Sequence, residues 1–112
     1  MEFVVSEVSG VTKAALEGRL DTANVDRVEQ SLTASILPLG RHTMIDLTKV
    51  TFIASLGIRM LLSLARSLAR HKARLVMFGA SPHVLEILET TALSDIIPQY
   101  ASEGEAIAAI SS

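Results

Sequence analysis

The sequence has no cysteine and no tryptophan in its 112 residues. A chain without cysteine has no disulfide framework and no thiolate chemistry, and it suits a reducing compartment. Aromatic residues make up only 4%; they are Phe3, Phe52, Phe78 and Tyr100. Four rings leave little for stacking nucleic-acid bases. A basic excess is missing too. The net charge is -2 and the pI is near 5.9, so the electrostatic footprint of a nucleic-acid or anionic-membrane binder is absent. No stretch reaches the about 20 apolar residues of a membrane span. The longest candidate, from Ser55 to Ala73, is broken by Arg59, Arg66, Arg70 and Lys72. The first residues carry Glu2 and Glu7 and lack the apolar run of a signal peptide. Together these features lead us to expect a cytoplasmic protein, with no nucleic acid bound and no membrane insertion. The usual phosphate cradles, Gly-x-x-x-x-Gly-Lys-Ser/Thr and Gly-x-Gly-x-x-Gly, do not occur. Nor does the Gly-x-Ser-x-Gly elbow of a serine hydrolase. His42, His71 and His83 have no metal-ligand spacing with one another or with carboxylates, and no cofactor is expected.

What the sequence does have is apolar material, 49% of its residues, enough for one hydrophobic core over residues 1–112 and too little chain for two. With so few aromatics, that core must be built from Leu, Ile, Val, Ala and Met. Phe3 to Val8 is rich in β-branched residues, Ser9-Gly10 signals a turn, and Val11 to Leu20 alternates, so the domain opens on a hairpin. Asp21 or Thr22 can cap a helix in which Val25, Val28 and Leu32 recur three and four apart. That helix should run to about Ser35, ahead of Pro38 and Gly40. A buried strand is expected over His42 to Leu47, and Thr51-Phe52-Ile53 reads as an apolar loop or strand end. The longest helix should run from Ser55 to about His71 with an inner stripe of Ile58, Leu61, Leu62, Ala65, Leu68 and Ala69. A second buried strand covers Ala73 to Phe78. Ser81-Pro82 then starts a helix with inner residues Val84, Leu85 and Leu88. A short strand follows Ile97, and Ser102-Glu103-Gly104-Glu105 matches a capping box for a closing helix anchored by Ile107 and Ile110. After the hairpin, strand and helix alternate at least three times. That order predicts an α/β domain with a mixed, mostly parallel sheet and about four helices, which cover one main face.

The segment with most chemical content is Asp46-Leu47-Thr48-Lys49-Val50-Thr51-Phe52-Ile53-Ala54-Ser55-Leu56-Gly57-Ile58. A strand ends, an apolar stretch crosses, and a helix begins at Ser55. Two readings of that serine are open. Its hydroxyl can cap the helix, or it can carry a phosphate facing free backbone N–H groups and the positive end of the helix dipole. Gly57 has no helical merit, since glycine costs about 1 kcal/mol against alanine; it makes sense where another backbone or protein must come close.

This segment resembles the STAS domain of anti-sigma factor antagonists, whose pattern is Asp-Leu-Ser/Thr-x-Val-x-Phe-Ile/Met-Asp-Ser-Ser/Ala-Gly-Leu. An upstream Gly-x-Leu-Asp of that family is matched by Gly18-Arg19-Leu20-Asp21. The resemblance extends over nearly the whole chain. It implies a non-enzymatic regulator of transcription and a STAS fold. It also implies phosphorylation at Ser55 by a GHKL-type partner that is both anti-sigma factor and serine kinase. The unmodified antagonist binds this partner and frees the sigma factor, the phosphorylated form does not bind, and a serine phosphatase restores it. By position in the matching motifs, Asp21, Thr22, Ala54, Leu56, Gly57 and Arg59 form the contact surface. Ala54 stands where the family has Asp, and Leu56 where a smaller residue is common. Both departures suit the alternative of a non-switching STAS subunit in a transport ATPase or a larger signalling assembly. No acid lies between Asp46 and Glu86, while Arg59, Arg66, Arg70, Lys72 and Arg74 fall inside that stretch. This is either a solvated face or, at Arg59, part of a docking surface for an acidic patch.

Overall fold

The computed structural model describes residues 2–111. The opening hairpin pairs β1 (Glu2–Val8) with β2 (Val11–Leu20) antiparallel, from Glu2 opposite Glu17 to Val8 opposite Val11. Ser9 and Gly10 make the two-residue connection, with φ of 53° and 80°. Positive φ at both central positions is what a tight hairpin turn with the right twist requires. Three crossovers follow. Helix α1 (Val25–Ile36) leads to β3 (Thr43–Ile53), α2 (Ser55–Arg70) to β4 (Leu75–Phe78), and α3 (Pro82–Thr90) to β5 (Gln99–Tyr100). The pairs β2–β3, β3–β4 and β4–β5 are parallel, and the sheet order follows the chain, β1-β2-β3-β4-β5. The closing helix is α4 (Glu103–Ser111). This is the mixed, mostly parallel α/β sheet with four helices that the alternation predicts.

The expectation of a strand ending at Leu47 needs correction, because β3 continues to Ile53. Its pairing with β2 slips twice. Ala15 faces Asp46 but Glu17 faces Lys49, and Gly18 faces Val50 but Arg19 faces Phe52. Each slip puts one extra residue on β3, which is a β-bulge. The buried side chains of its second half are therefore Leu47, Val50 and Ile53, three apart rather than the two apart of a regular strand. Asp46 serves the first bulge directly. Its Oδ1 accepts the Thr48 N–H at 2.9 Å and the Thr48 hydroxyl at 2.7 Å, where pairing with β4 has just ended at Phe78.

The larger core lies between the sheet and α1, α2 and α3. Val28, Leu32 and Ile36 of α1, Leu61, Leu64 and Leu68 of α2, and Val84 and Leu88 of α3 cover Ala14, Leu16, Ile45, Leu47 and Met77. The inner stripe of α2 is rotated from the expected one. Gly57, Ile58, Met60, Leu61, Leu64 and Leu68 are buried, Leu62 and Ala65 are half-buried at the rim, and Ala69 is exposed. Helical periodicity admits either stripe in so apolar a helix, and only the tilt of α2 on the sheet decides between them.

The helices also cover more than the one face expected. Ala106 and Ile110 of α4 pack on the opposite side, against Val11, Met44, Val76 and Phe78. The Ser102 hydroxyl accepts the Glu105 N–H at 3.2 Å, and the Glu105 carboxylate accepts the Ala101 N–H at 3.1 Å. This is the expected capping box with its return bond one residue upstream. Ser81 caps α3 as expected, accepting the Val84 N–H at 3.3 Å with Pro82 in the first turn.

Candidate functional site

The loops after β2 and β3 meet at one end of the sheet. Leaving β2 at Leu20, the chain turns through Asp21, Thr22, Ala23 and Asn24. The Asp21 carboxylate accepts the N–H groups of Ala23 (3.0 Å) and Asn24 (3.2 Å). Asn24 answers, accepting the Asp21 N–H at 3.0 Å and donating its amide to the Arg19 carbonyl at 2.8 Å. The cap position of α1 belongs to Asn24, three residues beyond Asp21 and two beyond Thr22, the expected candidates. Asp21 instead holds the turn closed, as Asp side chains do when they mimic a backbone turn, and leaves Thr22 exposed at its tip. The Arg19 guanidinium lies over the Phe52 ring, 4.6 Å from its centroid, which fastens the ends of β2 and β3 together by a cation–π contact. Neither partner stands out in the sequence, because the register that joins them crosses both bulges.

The start of α2 is latched to this frame. Ala54 donates its N–H to the Leu20 carbonyl at 2.8 Å and accepts the Ile58 N–H at 3.0 Å. Ala54 occupies the cap position in an extended conformation, with no side-chain bond to the helix. Ser55 is the first helical residue and is exposed. The reading of Ser55 as cap is therefore wrong by one position, since a capping hydroxyl must come from the extended residue before the first turn. There is also no acid in the first turn of α2. The other helices are better provided: α1 has Asp26, α3 has the Ser81 cap, and α4 has Glu103 and Glu105 with the Ser102 cap. The 16-residue α2 thus presents uncompensated N–H groups and the positive end of its dipole beside an exposed hydroxyl.

Gly57 lies beneath this surface. It is buried, and a methyl group there would come within 2.8 Å of Leu20 Cδ2 and 2.9 Å of Ile53 Cγ2. Its expected place among the contact residues is corrected accordingly: it lets the helix start sit down on the ends of β2 and β3. Leu56 points outward, 41% exposed. With Arg59 it edges a groove of about 240 Å³ between α1 and α2, whose other walls are Val25, Asp26, Glu29, Met60 and Ser63. Asp21, Thr22, Ala54, Ser55, Leu56 and Arg59 thus lie around one end of the sheet and the adjoining groove. Arg66 and Arg70 are exposed further along α2.

The remaining polar groups belong to the frame. Lys13 on β2 reaches Glu103 at 2.6 Å and Asp46 at 3.8 Å. The hydrogen bond that Lys13 donates to the Glu103 carboxylate raises its pKa above the ordinary 10.5, against an opposing effect of burial. His42 Nδ1 accepts the Arg74 N–H at 2.9 Å across the start of β3 and β4. Among the described residues no group of three or more His, Asp or Glu could hold a metal ion, and no helix is long and apolar enough to cross a membrane.

Comparison with known proteins agrees with this geometry. Residues 2–106 match the STAS domain family. BtrV of Bordetella bronchiseptica, named as an anti-sigma factor antagonist, is 31% identical over 109 residues, which span 97% of this chain and 93% of BtrV. The crystal structure of a Thermotoga maritima protein described as an anti-sigma factor antagonist superposes with a TM-score of 0.90 at 17% identity, covering 98% of this chain and 95% of that one. The Bacillus cell fate determinant SpoIIAA, solved in its phosphorylated form, gives a TM-score of 0.70 at 20% identity, covering 97% of this chain and 99% of that one. The chain is a STAS domain protein of the anti-sigma factor antagonist family.

Proposed function

We propose that this protein is an anti-sigma factor antagonist whose binding is switched by phosphorylation of Ser55. In the unmodified state it docks on a partner that is both anti-sigma factor and GHKL-type serine kinase, and so releases the sigma factor. The partner transfers the γ-phosphoryl group of ATP to Ser55 Oγ. A bond to phosphorus forms as the bond to ADP breaks, and the hydroxyl proton leaves to a base on the kinase. A serine phosphatase hydrolyses the phosphoester and restores the binding form. The chain itself is a regulator and not an enzyme, in keeping with its family.

The observation that carries this reading is an exposed serine at the first position of a helix whose start has neither a side-chain cap nor an acid. The isolated domain can accept a phosphate there, because the amides and dipole favour it. A partner that buries the same surface meets about −1.5 to −2 added charges, which must be desolvated on docking. The name given to BtrV and the phosphorylated form of SpoIIAA point the same way. Ala54 and Leu56 favour a second reading, a STAS subunit that binds constitutively to a transport ATPase or a larger assembly, since Leu56 offers an apolar contact that needs no switching.

The test is incubation with the cognate kinase and ATP, followed by mass spectrometry and affinity measurement on both forms. Label should enter Ser55 and not Ser63, Ser67 or Ser81, and affinity should fall. Ser55→Ala should keep its stability within about 0.5 kcal/mol, because the hydroxyl caps nothing, and should still bind; Ser55→Asp should bind more weakly. Unmodified Ser55, or unchanged affinity after modification, gives the second reading its place.

A further inference from the structure

Arg59 has no carboxylate within ion-pair distance among the described residues, although Asp26 and Glu29 line the same groove. It stands four residues after Ser55, so the two share a face of α2 with their Cβ atoms about 5–6 Å apart. Side chains on a helix lean toward its N-terminus, which directs Arg59 back over Ser55. Around the helix, at 100° per residue, Arg59 falls between Leu56, which faces the groove, and Ser55, which faces solvent at the helix start. The guanidinium can therefore serve either side by rotation about its own side-chain bonds. No backbone change is needed.

We infer that Arg59 is the intrachain ligand of the phosphate on Ser55, and that on modification it leaves the groove for that phosphate. The inference rests on Ser55 being the modified residue. Its chemistry is that of the guanidinium fork, which matches two phosphate oxygens at once and which a lysine ammonium cannot reproduce. It has a second consequence at the groove. Arg59 is the one cation lining it, against Asp26 and Glu29. Drawing Arg59 away leaves two carboxylates with no counter-charge, so modification changes the electrostatics of the α1–α2 groove as well as of Ser55 itself.

The experiment uses protein carrying phosphoserine at position 55, installed during translation so that no kinase is involved, compared with the same protein bearing Arg59→Gln or Arg59→Lys. The phosphorus NMR signal is followed through pH 4–8, across the second phosphate ionisation near 6. With Arg59 present the midpoint should lie lower by half a unit or more than in Arg59→Gln, with Arg59→Lys between them, and the Arg59 Nε–H signal should shift when phosphate is present. Equal midpoints for the wild type and Arg59→Gln overturn the inference, as does an Nε–H signal that the phosphate leaves unmoved. Because the phosphate is supplied by translation, a kinase that ignores Ser55 refutes the switch without touching this result, and equal midpoints refute the clamp without touching the switch.

Discussion

Gly57 shows how much a single position contributes to the site while staying out of sight. An alanine there would gain up to about 1 kcal/mol of helix propensity. Its methyl, however, would meet Leu20 and Ile53 side-chain atoms at 2.8–2.9 Å, closer than packed carbons approach, and overpacking of this kind typically costs about 1–3 kcal/mol. Gly57→Ala should lower stability in a denaturant titration. It should also loosen the Ala54 N–H to Leu20 carbonyl bond, seen as faster hydrogen exchange at Ala54. An increase in stability would show that the helix start is not seated as described. Residue-scale features of this site were legible in the sequence only where they were local. The matching segment singles out Ser55 because a short motif carries it, and that serine lies exposed at the start of α2. The purpose of Gly57 and the Arg19–Phe52 stack was hidden, since each depends on residues more than thirty positions apart brought together by β2–β3 pairing. The capping assignment failed by one residue because a hydroxyl at a helix start looks the same in sequence on either side of the boundary.

Among the elements, α2 is the one whose orientation matters most, for its first turn is the site and its stripe is the core. Leu61 is fully buried while Leu62 sits at the rim. Leu61→Ala should cost about 2–5 kcal/mol, the usual penalty for a buried large-to-small change. Leu62→Asp should cost less than Leu61→Asp, because a carboxylate at the rim keeps part of its hydration, whereas one at Leu61 would be buried without a partner. Comparing the two aspartate variants by thermal melting checks the rotation of the helix; equal losses would return the stripe to the one read from periodicity. Elements announced by local chemistry were predicted well. The Ser9-Gly10 hairpin, the Ser81-Pro82 start of α3 and the Ser102–Glu105 box each need only adjacent residues. The second half of β3 was missed because its bulges space the buried residues by three, a pattern that imitates neither strand nor loop. The face taken by α4 was missed because two buried anchors in a short helix do not say which side of a sheet they meet.

At the scale of the molecule, α4 closes the second face of the sheet by apolar packing and by a bond from Arg74 to the Ala109 carbonyl, and Lys13 adds an ion pair. It rises from β2 beside the Phe78 ring, 5.9 Å from the centroid, to Glu103 at the start of α4. Its pKa is raised above 10.5 in the folded protein. A group with a raised folded pKa contributes its stabilisation below the unfolded value and loses it as pH climbs through the folded one. Wild-type protein should therefore exceed Lys13→Gln in stability at neutral pH by about 1 kcal/mol or less, given the partial exposure of the pair. That lead should disappear as pH rises beyond 10.5. Chemical denaturation of both proteins across pH 7–12 tests this, and a constant difference would mean that Lys13 acts through packing alone. The paired bulges of β3 set a different kind of limit. Between Asp46 and Ile53 the side chains of Thr48, Lys49 and Thr51 are exposed, so substitution there costs at most a local bond such as Thr48 to Asp46 or Thr51 to the Gly18 carbonyl. The number of residues cannot change, because deleting either extra one would turn Val50 or Ile53 away from the core and rotate the helix start that follows. Tolerance to substitution and tolerance to insertion or deletion, which go together in ordinary surface loops, are here set apart: this stretch measures distance, and its length is its message.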